Sequence, residues 1–185
     1  MGGKGEAKNV EDWSPDGKYL IYNELGASGT HLNVLPLADR KPVPFVNTNF
    51  TTSEGQFSPD GLWVAYRSLE SGSNEVYVQG FNPDPSQPRG KWQVSTEGGD
   101  QPRWRSDGKE LFYHLGDTYY AVDMTTDGKS FVAGIPRPLF AFPIVLSHSG
   151  SGSPFVVTRD GQRFLVLAPV EKMGSSPIEV LLNWR

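Results

Sequence analysis

Seven polar residues stand just before three near-identical turn sequences: Glu11 and Asp12 in VEDW, Glu54 and Gln56 in SEGQF, and Asp100, Gln101 and Arg103 in DQPRW. Carboxylates, amides and a guanidinium drawn from separate segments to one axis can hold a ligand through charge-assisted hydrogen bonds. Their acidic excess favours a cationic partner group. The carboxylates follow no metal-loop spacing, so neither a metal nor another cofactor is expected. With no ligand, the same residues form a solvated channel wall.

Other chemistry is weaker. His31, His114 and His148 are dispersed, with no pair at i, i+4 on a helix to chelate zinc. Ser147, Ser149 and Ser151 flank His148 in SHSGSGS, but a nucleophile elbow needs G-x-S-x-G on a strand-turn-helix, so this stretch reads as a Gly/Ser-rich surface loop. TTDGKS, from Thr125, reads as a loop between strands. Trp63, Trp92 and Tyr119 could stack on sugars or peptides, although packed sheets more often bury such rings in their core.

The elements that position these residues are written four times. WSPDGKYLIY, FSPDGLWVAY, WRSDGKELFY and VTRDGQRFLV begin at Trp13, Phe57, Trp104 and Val157, and their aspartates Asp16, Asp60, Asp107 and Asp160 recur at intervals of 44, 47 and 53 residues. Such intervals match a four-stranded propeller blade of about 40 to 50 residues. Proline presets φ, aspartate bonds its own downstream backbone and glycine accepts φ > 0, so each phrase reverses the chain into a hairpin. Turn chemistry accounts for these aspartates without a catalytic or calcium role. Apolar second strands follow at Lys18, Leu62, Lys109 and Gln162. Third strands follow at His31, Glu75, Thr118 and Ile178, and shorter fourth strands at Pro42, Lys91 and Arg137. Near-continuous apolar strands imply sheets covered on both faces.

Composition agrees. Of 185 residues 37% are hydrophobic and 12% aromatic, enough for a packed core, while 21 Gly and 15 Pro interrupt the chain too often for long helices. The fold class is therefore all-β, a β-propeller of four blades at about 8–48, 52–96, 99–142 and 150–185, in one domain over 1–185. The ring is either four-bladed or half of an eight-bladed ring closed by a homodimer, since an open arc leaves apolar faces at both ends. With no cysteine, disulfides are excluded. A net charge of -4 without like-charge runs disfavours nucleic acid. LFAFPIVL, the longest apolar run, is far below the ~20 residues that span a bilayer, so no membrane insertion is expected. MGGKGEAKNVED lacks a secretory apolar stretch.

WSPDG, FSPDG and RSDGKELFY resemble the TolB-type, WD-like β-propeller repeat, an aromatic-Ser-Pro-Asp-Gly turn leading into an apolar strand. WQVSTEGGDQPRWRSDGKELFY, from Trp92, more narrowly resembles the propeller that follows the kinase and membrane segments of bacterial serine/threonine kinase-like receptors. The fourth unit departs, with Val157, Thr158 and Arg159 in place of aromatic-Ser-Pro. Kinase motifs are absent. The resemblance implies a periplasmic or otherwise extracytoplasmic, non-catalytic module that presents its channel face to a protein, peptide or small ligand. The alternative is a hydrolase-type enzyme with a site assembled across blades or across a dimer.

Overall fold

In the computed structural model the described residues are 7–27, 29–46, 48–82, 84, 90–127, 130–144, 153–167 and, as backbone, 179–182. All their regular structure is strand, and none forms a helix long and apolar enough to cross a membrane. The SHSGSGS stretch, with Ser147, His148, Ser149 and Ser151, lies outside these residues.

Four antiparallel sheets follow one another along the chain. The first orders β1 (Lys8–Trp13), β2 (Tyr19–Gly26), β3 (Gly29–Pro36) and β4 (Val43–Pro44). The second orders β5 (Thr52–Phe57), β6 (Trp63–Ser68), β7 (Glu75–Gly80) and β8 (Lys91–Gln93). In the third, β9 (Asp100–Trp104), β10 (Glu110–Leu115) and β11 (Thr118–Thr126) are flanked by two short strands that share the outer position. β13 (Arg137–Ala141) pairs with the first half of β11, and β12 (Phe131–Ala133) with its last three residues. The sequence points to β13 but not to β12, which is only three residues long. The fourth sheet is β14 (Phe155–Val157), β15 (Arg163–Val166) and β16 (Glu179–Leu182).

The repeated turn has one design in all four copies. Its glycines, Gly17, Gly61, Gly108 and Gly161, have φ of 70 to 73°, the left-handed region that side chains disfavour. In the first copy Asp16 Oδ1 accepts from Lys18 N at 3.1 Å and Ser14 Oγ at 2.7 Å, while Ser14 Oγ accepts from Tyr19 N at 2.9 Å. Ser58 and Asp60 repeat this. In the fourth copy Thr158 takes the serine's place, accepting from Arg163 N at 3.1 Å and donating to Asp160. In the third Arg105 grips Asp107 through Nε and Nη2, at 2.8 and 2.9 Å. The apparent degeneracy of the fourth turn is thus chemical substitution without loss of geometry. The serine and threonine hydroxyls hold Asp16 and Asp160 below their ordinary carboxylate values.

The sheets pack in series, one buried cluster at each junction. Ile21, Leu32, Phe57 and Tyr66 lie between sheets one and two; Trp63, Val78, Trp104 and Phe131 between two and three; Phe112, Tyr119, Phe155 and Phe164 between three and four. Trp63 and Tyr119 are fully buried and Trp92 packs on Trp63, so these rings are core and not a surface platform. Among the described residues no such cluster joins sheet four to sheet one.

Candidate functional site in the cleft of the inner strands

The inner strands β1, β5 and β9 carry the same irregularity. Val10 and Glu11 together face Tyr22, Glu54 and Gly55 face Tyr66, and Gln101 and Pro102 face Tyr113, so each strand holds one extra residue, a β-bulge. Glu54 and Gln101 reach it with φ of 61 and 55°, which costs a residue with a Cβ about 1–2 kcal/mol. The bulges of β5 and β9 each turn a backbone N–H toward the preceding sheet. Glu54 N donates to Glu11 Oε1 at 3.3 Å, and one sheet on Gln101 N donates to Glu54 Oε2 at 2.6 Å. A second pair of bonds runs parallel: Phe57 N to Asp12 Oδ2 at 2.8 Å and Trp104 N to Gln56 Oε1 at 3.2 Å. Side chains of one sheet thus clip the backbone of the next.

A cleft of about 390 Å³ opens over these strands, lined by both acidic and basic groups including Glu11, Glu54, Arg67, Gln101 and Arg103. Of the seven residues expected from the sequence, Glu11, Glu54, Gln101 and Arg103 line the cleft and three do not: Asp12 and Gln56 accept inter-sheet bonds, and Asp100 bonds to Arg67. Asp100 Oδ1 accepts from Arg67 Nη1 and Asn74 Nδ2, both at 3.2 Å. Arg67 also donates to Ser53 Oγ at 3.1 Å and lies 3.8 Å from Glu54. Asn23 donates its amide to Glu11.

Sequence reading passed over Asn23 and Arg67. Both sit seven residues after their turn aspartate, where His114 and Leu167 stand in the other repeats, and a polar residue interrupting an apolar strand there is the signal that could have found them. His114 is buried, its Nδ1 against Gly116 O at 3.2 Å, and burial lowers its pKa.

Burial pushes the Glu11, Asp12 and Glu54 carboxyls above their ordinary values, against the pull of neighbouring N–H groups and arginines. It lowers the Arg103 guanidinium from its usual value, opposed by Glu54, Glu11 and Asp12. Gln101 Oε1 is buried without a hydrogen-bond partner. It stands next in the clip series after Glu11 and Glu54, but β14 pairs regularly with β15 and has no bulge. Pro154, just before β14, has no N–H to offer. Among the described residues no group of three His, Asp or Glu could hold a metal ion.

No protein-family model and no curated protein matches the chain. Solved structures do. TolB from Acinetobacter baumannii superposes with a TM-score of 0.65 at 19% identity, over 91% of this chain and 39% of its own. A putative TolB from Agrobacterium tumefaciens gives 0.55 at 18%, over 75% and 52%. A puromycin-hydrolyzing peptidase from Mycobacterium tuberculosis gives 0.62 at 18%, over 88% and 28%. The chain thus spans about half or less of the proteins it resembles, and identities this low carry the fold alone. The fold is a β-propeller arrangement similar to that of the TolB structures, with four antiparallel sheets among the described residues.

Proposed function

We propose that the chain is a non-catalytic binding module whose inner-strand cleft receives a protein segment, peptide or small ligand bearing a cationic N–H donor. The observation that carries this reading is the cleft itself. Glu11 and Glu54 face it while burial disfavours their ionised forms, and Gln101 adds an oxygen with nothing to accept from. An ammonium or guanidinium group would add to the pull of Arg67 and Arg103, because a further charge-assisted hydrogen bond stabilises the carboxylate. Among the described residues no histidine lines the cleft, and Ser53 Oγ is held by Arg67. The fold is shared with the peptidase above, so an enzyme remains the competing class. Resemblance to periplasmic translocation propellers supports an extracytoplasmic location, which fractionation of the native host tests.

Titration calorimetry with short basic, neutral and acidic peptides tests the ligand class. Basic peptides are expected to bind, and Glu11→Gln or Glu54→Gln to weaken them about tenfold, the size of a lost charged hydrogen bond. Binding indifferent to peptide charge, or turnover of esters or peptides, sinks the reading.

A further inference from the structure

We infer that the ligand of the cleft carries a carboxylate beside its cationic group, with Arg103 holding the carboxylate, so that the cleft takes a zwitterionic segment. This deepens the proposed function and rests on it. The unused bonding capacity of Arg103 carries it. A guanidinium is a planar fork of N–H donors that fits a carboxylate through parallel bonds. Arg103 Nη1 donates to the adjoining Pro102 O at 2.7 Å, and among the described residues Arg103 makes no other hydrogen bond and no ion pair. Two other arginines show the contrast. Arg67 gives Nε to Ser53 Oγ at 3.1 Å and Nη1 to Asp100 Oδ1 at 3.2 Å. Arg105 commits Nε, Nη1 and Nη2 to Asp107 and Glu110. The charges that act on Arg103 come from Glu54, Glu11 and Asp12, on the two preceding inner strands, so its head lies over the cleft that both glutamates line.

The signs of the lining agree. Glu11 and Glu54 are its carboxylates, Arg67 and Arg103 its guanidiniums, and its remaining side chains are uncharged. A wall balanced in this way complements a ligand that is itself balanced. An ammonium group arriving alone on Glu11 and Glu54 stands in the field of Arg103, a like charge. A carboxylate laid on Arg103 offsets that repulsion and meets N–H groups that no acceptor fills among the described residues. A carboxylate arriving alone is repelled in turn by the two glutamates. Only the joined pair is attracted at both ends.

Titration calorimetry on the 185-residue chain with two acetylated, amidated dipeptides, Lys-Asp and Lys-Asn, isolates the carboxylate. Lys-Asp is expected to bind about tenfold more tightly, the size of one charge-assisted hydrogen bond. Arg103→Met should bind the two equally. Arg103→Lys, which keeps the charge and loses the fork, should keep only part of the preference. If Arg103→Met does not fold, the wild-type comparison and Arg103→Lys decide. Equal binding of Lys-Asp and Lys-Asn by the wild type, both tighter than Ala-Asn, overturns the zwitterion and leaves the cationic ligand standing. An undiminished preference for Lys-Asp in either variant overturns the assignment to Arg103. Ala-Asp binding as tightly as Lys-Asp removes the need for a cation and overturns the proposed function together with this inference. So does the absence of binding by all four dipeptides. The two readings therefore fail in different ways.

Discussion

The junctions between sheets one and two and between two and three differ from the junction between three and four. The first two combine an apolar cluster with paired clips, in which Asp12, Gln56, Glu11 and Glu54 accept backbone N–H groups from the next inner strand. The third has no inner-strand clip and relies chiefly on aromatic packing: Phe112 meets Phe164 and Tyr119 meets Phe155 edge-on, each with centroids 5.1 Å apart, and among the described residues the one bond beside them is from Ser106 Oγ to Arg159 O between the turns, at 2.7 Å. Non-directional apolar burial holds two sheets together, whereas a clip also fixes how far one sheet slides along the other. The cleft lies over the clipped junctions, where position is most strictly set.

Core truncation gives the largest effect. Trp63→Ala, at the second junction, should cost about 3–5 kcal/mol and lower the whole denaturation midpoint. Phe164→Ala removes a ring of similar burial, but its loss should first release the fourth sheet. Hydrogen exchange is then expected to accelerate over 155–166 while 52–80 stays protected. Uniform acceleration would show that the third junction is as cooperative as the others.

Clip removal comes next. Asp12→Ala and Gln56→Ala should each cost about 1–2 kcal/mol in urea denaturation, since each leaves a backbone N–H without its acceptor. Gln101→Met sharpens the contrast. The orphaned oxygen at the third junction contributes no bond, so its removal should change stability by no more than about 0.5 kcal/mol.

The pH response is the subtlest. Glu54 has a raised pKa in the folded chain, so its stabilising contribution is fully present below the ordinary value of 4.5 and is lost as pH rises through the raised one. The wild type should therefore gain on Glu54→Gln as pH falls from 7 to 5, measured as the difference in thermal midpoints. The comparison between variants separates Glu54 from His114, whose lowered pKa works in the opposite direction.

Much of this was written in plain sequence. Each turn depends on residues within five positions of one another, so Asp16, Asp60, Asp107 and Asp160 announce their hairpins locally, and the apolar second and third strands follow from composition. β12 escaped because its three residues follow directly on TTDGKS, which reads as a loop. The bulges escaped for a different reason: Glu54 and Gln101 take up left-handed backbone only because the neighbouring sheet receives their N–H groups. For the same reason Asp12 and Gln56 look like ligand-binding residues when read alone, and their part as clips shows only once the sheets are stacked.

The sequence by itself determined the repeat, the reversals and the strand order, because these rest on φ/ψ preferences and bonds that span a few residues. Only the tertiary structure decided which polar groups face the cleft and which join one sheet to the next. Burial and partnership belong to pairs of sheets some 45 residues apart, and no local pattern can encode whether a neighbouring sheet is there.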